Sequence, residues 1–212
     1  MKPEAHIVDI FPQSVCATML PNTLSHVIKY FNTTKYAEQS DHTNYGFRSE
    51  DTQILNNTEC KDLSDYILEI VASYSYDVLF YDYDSWKFSQ SWLSVKSPGQ
   101  QHVRHSHPNS LISGVFYYGE PVEKTPAISF HKPGGPIGVS TIRPKMRNIE
   151  RGKYAIDRQH FTFEPGLLLI FPSHLEHSVP MNNTDKDRFS LAFNCVPTEG
   201  FGSPDELTEL KF

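Results

Sequence analysis

The chain has few cysteines and no long apolar run. Its three cysteines, Cys16, Cys60 and Cys195, lie far apart and form no Cys-x-x-Cys pair, which argues against a disulfide framework, a zinc knuckle or a redox dithiol. No window approaches the roughly 20 apolar residues of a membrane-spanning helix. Asp9 and Pro12 interrupt the apolar stretch that a signal peptide would need. We therefore expect a soluble, cytoplasmic protein without a membrane partner.

An excess of positive charge is also missing. The formal net charge is -6, so the composition gives no strong signal for nucleic-acid binding. One modest basic stretch lies at 143–153 and is interpreted as a solvated loop. Its cations are Arg143, Lys145, Arg147, Arg151 and Lys153.

Aromatic residues, in contrast, are plentiful. They make up 13% of the chain, with 14 Phe and 11 Tyr, and aromatic side chains favour β-strands. Strands are predicted at 111–118, 127–131, 160–164, 166–171, 174–180 and 188–196. Many short strands separated by Pro, Gly and Asn turns indicate a sandwich, a barrel or a jelly roll. The Pro/Gly-rich stretch at 133–144 predicts a long loop that could cover a site.

The N-terminal third is predicted to be partly helical. Apolar residues recur at helical spacing over 24–31 and over about 62–76, and these helices are expected to support a sheet. From residue 86 the pattern changes to the alternation of a strand. One face of that strand would carry Trp86, Phe88, Gln90, Trp92 and Ser94.

Histidines cluster beside two of the predicted strands. His105 and His107 precede the strand at 111–118, and His177 belongs to the strand at 174–180. Residues two apart on an extended chain project to one side, so His105 and His107 could bind one metal ion. His177 could complete three ligands and leave the open positions that non-haem iron(II) enzymes use. Histidines that cap loops or satisfy core hydrogen bonds are the alternative, which this clustering disfavours.

A carboxylate site is predicted on the last strand. Arg188 and Ser190 are two residues apart, which places a guanidinium and a hydroxyl on one face and suits a bidentate carboxylate. The hydroxyl of Tyr117 could reach the same carboxylate from a neighbouring strand. A surface ion pair of Arg188 with Asp185 or Asp187 is the alternative. The pattern predicts a dicarboxylate ligand.

Three segments resemble the 2-oxoglutarate and iron(II)-dependent oxygenase superfamily, in particular a small family of 2OG-Fe(II) oxygenases from marine bacteria and cyanophages. The first is 92–118, with His-Ser-His-Pro-Asn-Ser at 105–110 and Ser-Gly-Val-Phe-Tyr at 113–117. The second is Pro-Gly-Leu-Leu-Leu-Ile-Phe-Pro-Ser at 165–173, leading to His177. The third is Arg-Phe-Ser at 188–190, continuing to Asn194. Together they span roughly the C-terminal half.

The resemblance implies a mainly β fold with flanking helices, namely a double-stranded β-helix (jelly roll, cupin-like). We expect one domain over 1–212, with a supporting segment at 1–85, the jelly-roll core at 86–198 and a tail at 199–212. A phage-encoded protein of this kind would act in the host cytoplasm.

The resemblance also implies the parts of the site. His105 and His177 match the first and the distal iron ligands, Arg188 and Ser190 match the pair that binds the far carboxylate of 2-oxoglutarate, and Tyr117 matches a co-substrate tyrosine. The implied activity is that of a 2-oxoglutarate-dependent dioxygenase, which uses Fe(II) and O2, with ascorbate as a supporting reductant. It would form succinate while hydroxylating a C–H bond of a peptide or small molecule, and peptidyl proline is the first hypothesis.

One position departs from the superfamily pattern. His107 stands where Asp or Glu is usual, and a neutral imidazole leaves the metal site one negative charge short. We keep His107 as a ligand, with Glu176 as an alternative acid. Further residues that could border the substrate or support the ligands are Trp92, Asn109, Ser113 and Asn194.

Two other functions are compatible with the sequence. The first is a cupin-type dioxygenase with three histidine ligands and no 2-oxoglutarate, although no Glu follows His107 at the cupin spacing and Arg188 would lack a purpose. The second is a non-catalytic jelly-roll binding module or virion component, for which no stoichiometric iron is expected.

Overall fold

The computed structural model describes residues 8–20, 25–40, 45–121, 125–133 and 156–211. The basic stretch at 143–153 lies outside these residues, and so do all but the first residue of the loop predicted at 133–144 and the first residue of the helix predicted at 24–31. No helix in the described part of the chain is long and apolar enough to cross a membrane.

Two helices cover one face of a large sheet. α1 spans Ser25–Phe31, and α2 spans Lys61–Ser73 and continues into a π-helical turn, Tyr74–Val78. α2 is amphipathic because apolar residues return every three or four positions, and Leu63 and Ile67 are fully buried. Both predicted helices are present, and their apolar faces pack in one cluster with strand residues. Two short 3₁₀ turns precede α2, at Ile54–Asn56 and Thr58–Cys60.

Eleven strands lie in the described residues. They are β1 (Cys16–Met19), β2 (Tyr36–Ser40), β3 (Tyr45–Ser49), β4 (Trp86–Lys96), β5 (His102–His105), β6 (Ile112–Tyr118), β7 (Pro126–His131), β8 (Arg158–Thr162), β9 (Leu167–Pro172), β10 (His177–Val179) and β11 (Arg188–Pro197). The six strands predicted after residue 110 are all present, with small shifts at their ends. Strands β1, β2, β3 and β5 have no counterpart in the sequence-based prediction.

The strands form two antiparallel sheets that face each other. The larger sheet has the order β1-β9-β6-β11-β4-β3-β2, and the smaller has the order β5-β10-β7-β8. Strands β4 to β11 are thus divided equally between the two sheets, which is the arrangement of a double-stranded β-helix. The predicted fold class is confirmed.

A β-bulge in β4 changes which of its residues share a face. The pairing of β4 with β11 skips Ser89, and an unpaired extra residue reverses the alternation of side chains. Trp86 and Phe88 therefore pack on the helical side of the sheet. Trp92 and Ser94 line a cavity on the other side. The prediction that these four residues share one face is wrong, because one unpaired residue is invisible to a period-two pattern.

The apolar core lies on both faces of the larger sheet. The larger cluster fills the space under the helices and includes Phe31, Leu93 and Phe193. A smaller cluster lies between the two sheets and includes Val115 and Phe171. The sheets also enclose a cavity there, with a volume of about 190 Å³.

Candidate metal centre and anion site

The cavity between the sheets is rich in nitrogen bases and cations. Four histidines line it, His102, His105, His107 and His177, together with three cationic side chains, Arg48, Lys96 and Arg188. Among the described residues that line it there is no Asp or Glu. The cavity therefore has a positive potential, which favours anionic ligands.

The pairing of β5 with β10 brings the predicted metal ligands together. His105 ends β5 and lies directly opposite His177, the first residue of β10. His107 follows two residues later in a loop that is fixed by a hydrogen bond from its own N–H to the carbonyl of Ser173, at 3.0 Å. One ring nitrogen from each histidine lies within 4.8 Å of those of the other two. The three histidines thus converge on one point, as their sequence positions predict.

Backbone hydrogen bonds set the tautomers of two of these rings. Nδ1 of His105 donates to the carbonyl of Val103, and Nδ1 of His177 donates to the carbonyl of Leu175, each at 2.8 Å. A carbonyl can only accept, so the proton sits on Nδ1 and the lone pair of Nε2 is left for a ligand. Metal-binding histidines are oriented by such contacts.

The spacing of the nitrogen atoms suits a single divalent ion. Nε2 of His107 and Nε2 of His177 are 3.3 Å apart. Histidine nitrogens bound at about 2.1 Å on adjacent corners of one ion would be about 3 Å apart. Two lone pairs this close repel one another unless a cation or a proton lies between them. The donor set therefore fits a metal such as iron(II).

Burial keeps these imidazoles neutral. Burial lowers the pKa of His177 to about 3 and that of His107 to about 4. It also lowers the pKa of His105. Neutral imidazole is the form that binds metals, so all three rings have the right protonation state at neutral pH.

Glu176, the alternative acidic ligand, lies elsewhere. Its carboxylate is hydrogen-bonded to the guanidinium of Arg104, and that contact lowers the pKa of Glu176. Glu176 directly precedes His177, the first residue of β10, but its carboxylate is paired with Arg104. Within the described residues, no carboxylate joins the histidine group.

Arg188 is a buried cation in the wall of the same cavity. Its side chain is 4% exposed, and its two terminal nitrogens donate to the carbonyls of Pro126 and Pro180 at 2.6 and 2.7 Å. Its Nε is buried without a hydrogen-bond partner. In the described part of the chain Arg188 forms no ion pair, so the expected alternative of a surface pair with Asp185 or Asp187 is wrong.

A row of polar side chains crosses the larger sheet beside Arg188. Ser190 is opposite Tyr117 on β6 and opposite Ser94 on β4, and Ser94 is opposite Arg48 on β3. All four line the cavity, so Ser190 and Tyr117 face the space that Arg188 faces, as their parity predicts. Burial raises the pKa of Tyr117, although the charge of Arg188 opposes this. The phenol is therefore a neutral hydrogen-bond donor.

The other four predicted residues have different positions. Trp92 lines the cavity, and its ring centroid is 6.0 Å from that of His107. Asn109 is exposed in a turn, with a φ of 61°, and is not among the residues that line the cavity. The hydroxyl of Ser113 donates to the side-chain oxygen of Asn194 at 2.9 Å and is 2.7 Å from the hydroxyl of Ser173. This buried group supports the loop of His107 through Ser173.

Several lining residues were missed by sequence reasoning. The alternation of Trp92, Ser94 and Lys96 along β4 is a signal that could have found the last two. Arg48 carries no such signal, because its position depends on the pairing of β3 with β4.

Comparisons with known proteins found one matching family. Residues 90–194, just under half of the chain, match the family described as "Putative 2OG-Fe(II) oxygenase". A comparison with curated proteins found no match.

Solved structures of oxygenases share the fold. A prolyl-4-hydroxylase from Pseudomonas putida has 14% identity and a TM-score of 0.56, with 86% of this chain and 92% of that chain covered. A prolyl hydroxylase bound to a hypoxia inducible factor peptide fragment, from Trichoplax adhaerens, has 11% identity and a TM-score of 0.55, covering 86% and 83%. HygX from Streptomyces hygroscopicus, solved with nickel, 2-oxoglutarate and hygromycin B, has 8% identity and a TM-score of 0.59, covering 89% and 84%.

At these identities the structural likeness establishes the fold. The family match includes all three histidines, which lie on β5, in the loop that follows it and on β10. The family match and the shared fold together make this chain similar to 2-oxoglutarate and iron(II)-dependent oxygenases.

Proposed function

We propose that this chain is a 2-oxoglutarate-dependent hydroxylase in which His105, His107 and His177 bind iron(II) while Arg188, Ser190 and Tyr117 bind the distal carboxylate of 2-oxoglutarate. The observation that carries the proposal is Arg188 itself. A buried guanidinium with an unpartnered Nε and no acidic neighbour among the described residues is unfavourable unless an anion binds to it. It faces the same cavity as three converging imidazoles.

2-Oxoglutarate would be the second reductant, beside the substrate itself, so that the electrons taken up by O2 are balanced. One molecule each of O2, 2-oxoglutarate and a substrate with a C–H bond would give the alcohol, succinate and CO2. The substrate and 2-oxoglutarate each lose two electrons, and O2 gains four. Iron(II), when bound, would supply the activation of O2 and the chelation of the keto acid.

The residues of the chain would orient the co-substrate and exclude water. Arg188 would neutralise the distal carboxylate, and Ser190 and Tyr117 would add neutral hydrogen bonds from the same face of the sheet. Apolar side chains from both sheets, such as Val115 of β6 and Ile128 of β7, line the cavity that these groups share with the histidines. A dry wall of this kind strengthens each charged contact.

Peptidyl proline is the first substrate that we propose. Two of the similar structures are described as prolyl hydroxylases, which supports the choice. HygX, by contrast, is described with hygromycin B, a small molecule. Small-molecule substrates therefore belong in the same screen, because a shared fold does not fix the substrate.

The test is an assay of 2-oxoglutarate consumption in the absence of a second substrate. The purified protein would be supplied with Fe(II), O2, ascorbate and 2-oxoglutarate, and succinate would be measured. We expect slow succinate formation that depends on both Fe(II) and 2-oxoglutarate and that proline-containing peptides or other substrates accelerate.

The three-histidine donor set favours one competing function, a dioxygenase that does not use 2-oxoglutarate. Oxidation of a substrate without added 2-oxoglutarate, and without succinate, would support that alternative and contradict our proposal. No binding of iron would contradict both and favour a non-catalytic module.

A further inference from the structure

The cavity carries more positive charge than iron and 2-oxoglutarate would balance. A divalent metal and the dianion of 2-oxoglutarate neutralise one another when both are bound. The three histidines add no charge, since imidazole binds a metal in its neutral form. Of the cationic side chains that line the cavity, Arg188 and Arg48 form no ion pair within the described residues, and no Asp or Glu is found among the described residues of the lining. The loaded site is therefore still cationic.

Arg48 is the cation of this cavity that is accessible to a further anionic ligand. It lies on β3, opposite Ser94, and is solvent-exposed at the cavity. Ser190 lies two strands further along the same row, which places it about 10 Å away at the usual strand spacing. Arg48 is thus separate from the group that would bind 2-oxoglutarate. It forms no ion pair within the described residues.

The residues beside Arg48 offer a hydroxyl group and an aromatic ring, which are typical of a binding surface. Ser94 offers a hydroxyl beside it, and Trp92, two residues earlier on the same face of β4, presents a half-buried indole to the cavity. The indole ring lies near His107, with a centroid separation of 6.0 Å. If an acidic group of a substrate bound to Arg48 and Ser94, the adjoining part of that substrate would lie against Trp92 and beside the histidines.

We propose that Arg48, Ser94 and Trp92 bind the prime substrate and that this substrate carries a carboxylate or phosphate group. The inference rests on the proposed function, because it takes the histidines and Arg188 as occupied. The anionic group would be held at the β3 edge of the cavity, and the C–H bond to be oxidised would lie between that group and the metal. The field of the cavity would also speed the approach of an anion.

Quenching of tryptophan fluorescence by small ions tests the anion site without a known substrate. Trp92 lines the cavity, whereas the other tryptophan, Trp86, is buried in the core. The protein would be loaded with Zn(II), which is redox-inert, and with saturating 2-oxoglutarate. Iodide and neutral acrylamide would be compared at constant ionic strength, with Trp92→Phe to isolate the signal. The variants would be Arg48→Gln and the control Lys87→Gln, which removes an exposed cation of β4, the strand that carries Trp92.

We expect Arg48→Gln to lower the iodide quenching constant at least twofold without changing that of acrylamide, whereas Lys87→Gln changes neither. Equal iodide quenching in the Arg48→Gln and unsubstituted proteins would overturn the proposal. So would a rise in the KM for 2-oxoglutarate in Arg48→Gln as large as that caused by loss of Arg188, because Arg48 would then belong to the co-substrate.

A second experiment identifies the class of substrate. Carboxylate, phosphate ester and amide forms of the same small skeletons would be compared for their acceleration of succinate release. We expect the anionic forms to accelerate it and Arg48→Glu to abolish their advantage; amides as effective as the anions would contradict the inference. If the unsubstituted protein never consumes 2-oxoglutarate, the proposed function fails, while iodide quenching still reports on the anion site.

Discussion

The buried charge of Arg188 contributes little to the stability of the fold, but it is suited to binding an anionic ligand. Two of its nitrogens donate to backbone carbonyls, but the charge is buried and the described residues provide no acidic partner. A buried, uncompensated charge is costly, so such a residue is expected where a ligand supplies the missing anion. A surface arginine such as Arg158, which lies beside Asp157, needs no bound anion to balance its charge.

Replacing Arg188 by Ala should raise the KM for 2-oxoglutarate by about 10- to 100-fold, because a charge-assisted hydrogen-bonded contact is worth about 1.5 to 3 kcal/mol. The iron content should stay near that of the unsubstituted protein, since Arg188 is not a metal ligand. Steady-state kinetics and metal analysis check both points, with Arg158→Ala as the control. An unchanged KM for 2-oxoglutarate would remove Arg188 from the co-substrate site.

Replacing His177 by Ala should lower the affinity for iron(II) by more than about 100-fold, because changes of residues that merely orient a ligand already cost about 10- to 100-fold. Metal titration of the purified variant measures the loss. His174→Ala is the matched control, since His174 is exposed, is three residues away and is outside the histidine group. Normal iron binding by His177→Ala, or an equal loss in His174→Ala, would contradict the assignment.

At the scale of the elements, the packing of β6, an inner strand of the larger sheet, depends on a glycine. A Cβ on Gly114 would lie 2.1 Å from the ring of Phe193 and 2.8 Å from the carbonyl oxygen of Leu169, both closer than atoms can approach. Phe193 is almost fully buried and packs edge-on against Phe88, so its ring has little room to move. The absence of a side chain at Gly114 allows β6 and β11 to pair under that ring.

Gly114→Ala should lower the free energy of unfolding by about 1 to 3 kcal/mol, the usual range for overpacking a buried site. Chemical denaturation measures the change. In a Phe193→Leu background the same substitution should cost less, because the smaller side chain relieves the closer of the two contacts, the one with the ring. An identical cost in both backgrounds would show that contact with Phe193 is not the cause.

The helices and strands could be predicted from the sequence where a single pattern, either apolar periodicity or an apolar run, was strong. The apolar periodicity of α2 and the run of buried residues in β6, β9 and β11 were sufficient, because each segment buries a continuous face. β5 was missed because it has four residues without alternating burial. The face of β4 was assigned wrongly because of the bulge at Ser89.

The placement of the candidate site residues could be predicted from spacing within single segments and from the strand pairing of a jelly roll, but the position of Arg48 could not. The spacing of His105 and His107, and that of Arg188 and Ser190, depends on local extended backbone, which sequence determines well. Arg48 reaches the cavity through the pairing of β3 with β4. Such long-range pairing depends on the whole sheet and leaves no local pattern.

At the scale of the whole molecule, the candidate site joins the two sheets. His105 and His177 are paired residues of the smaller sheet, whereas Arg188, Ser190 and Tyr117 belong to the larger one. The metal would therefore bridge β5 and β10, and 2-oxoglutarate, bound to both the metal and Arg188, would connect the sheets. Because β5 and β10 share only two register pairs, they should be among the least stable parts of the core without ligands.

Hydrogen exchange should therefore respond to the two ligands in sequence. Adding Zn(II) should protect the backbone amides of β5 and β10, while those of β4, β6 and β11 should change little, since their ladder is long and already stable. Adding 2-oxoglutarate should then extend protection to the start of β11, around Arg188, by binding the folded state. Mass spectrometry of exchanged peptides resolves these segments, and Arg188→Ala should lose the second step while keeping the first. Protection of β11 by metal alone, or protection by 2-oxoglutarate that survives in Arg188→Ala, would mean that the co-substrate does not link the sheets through this residue.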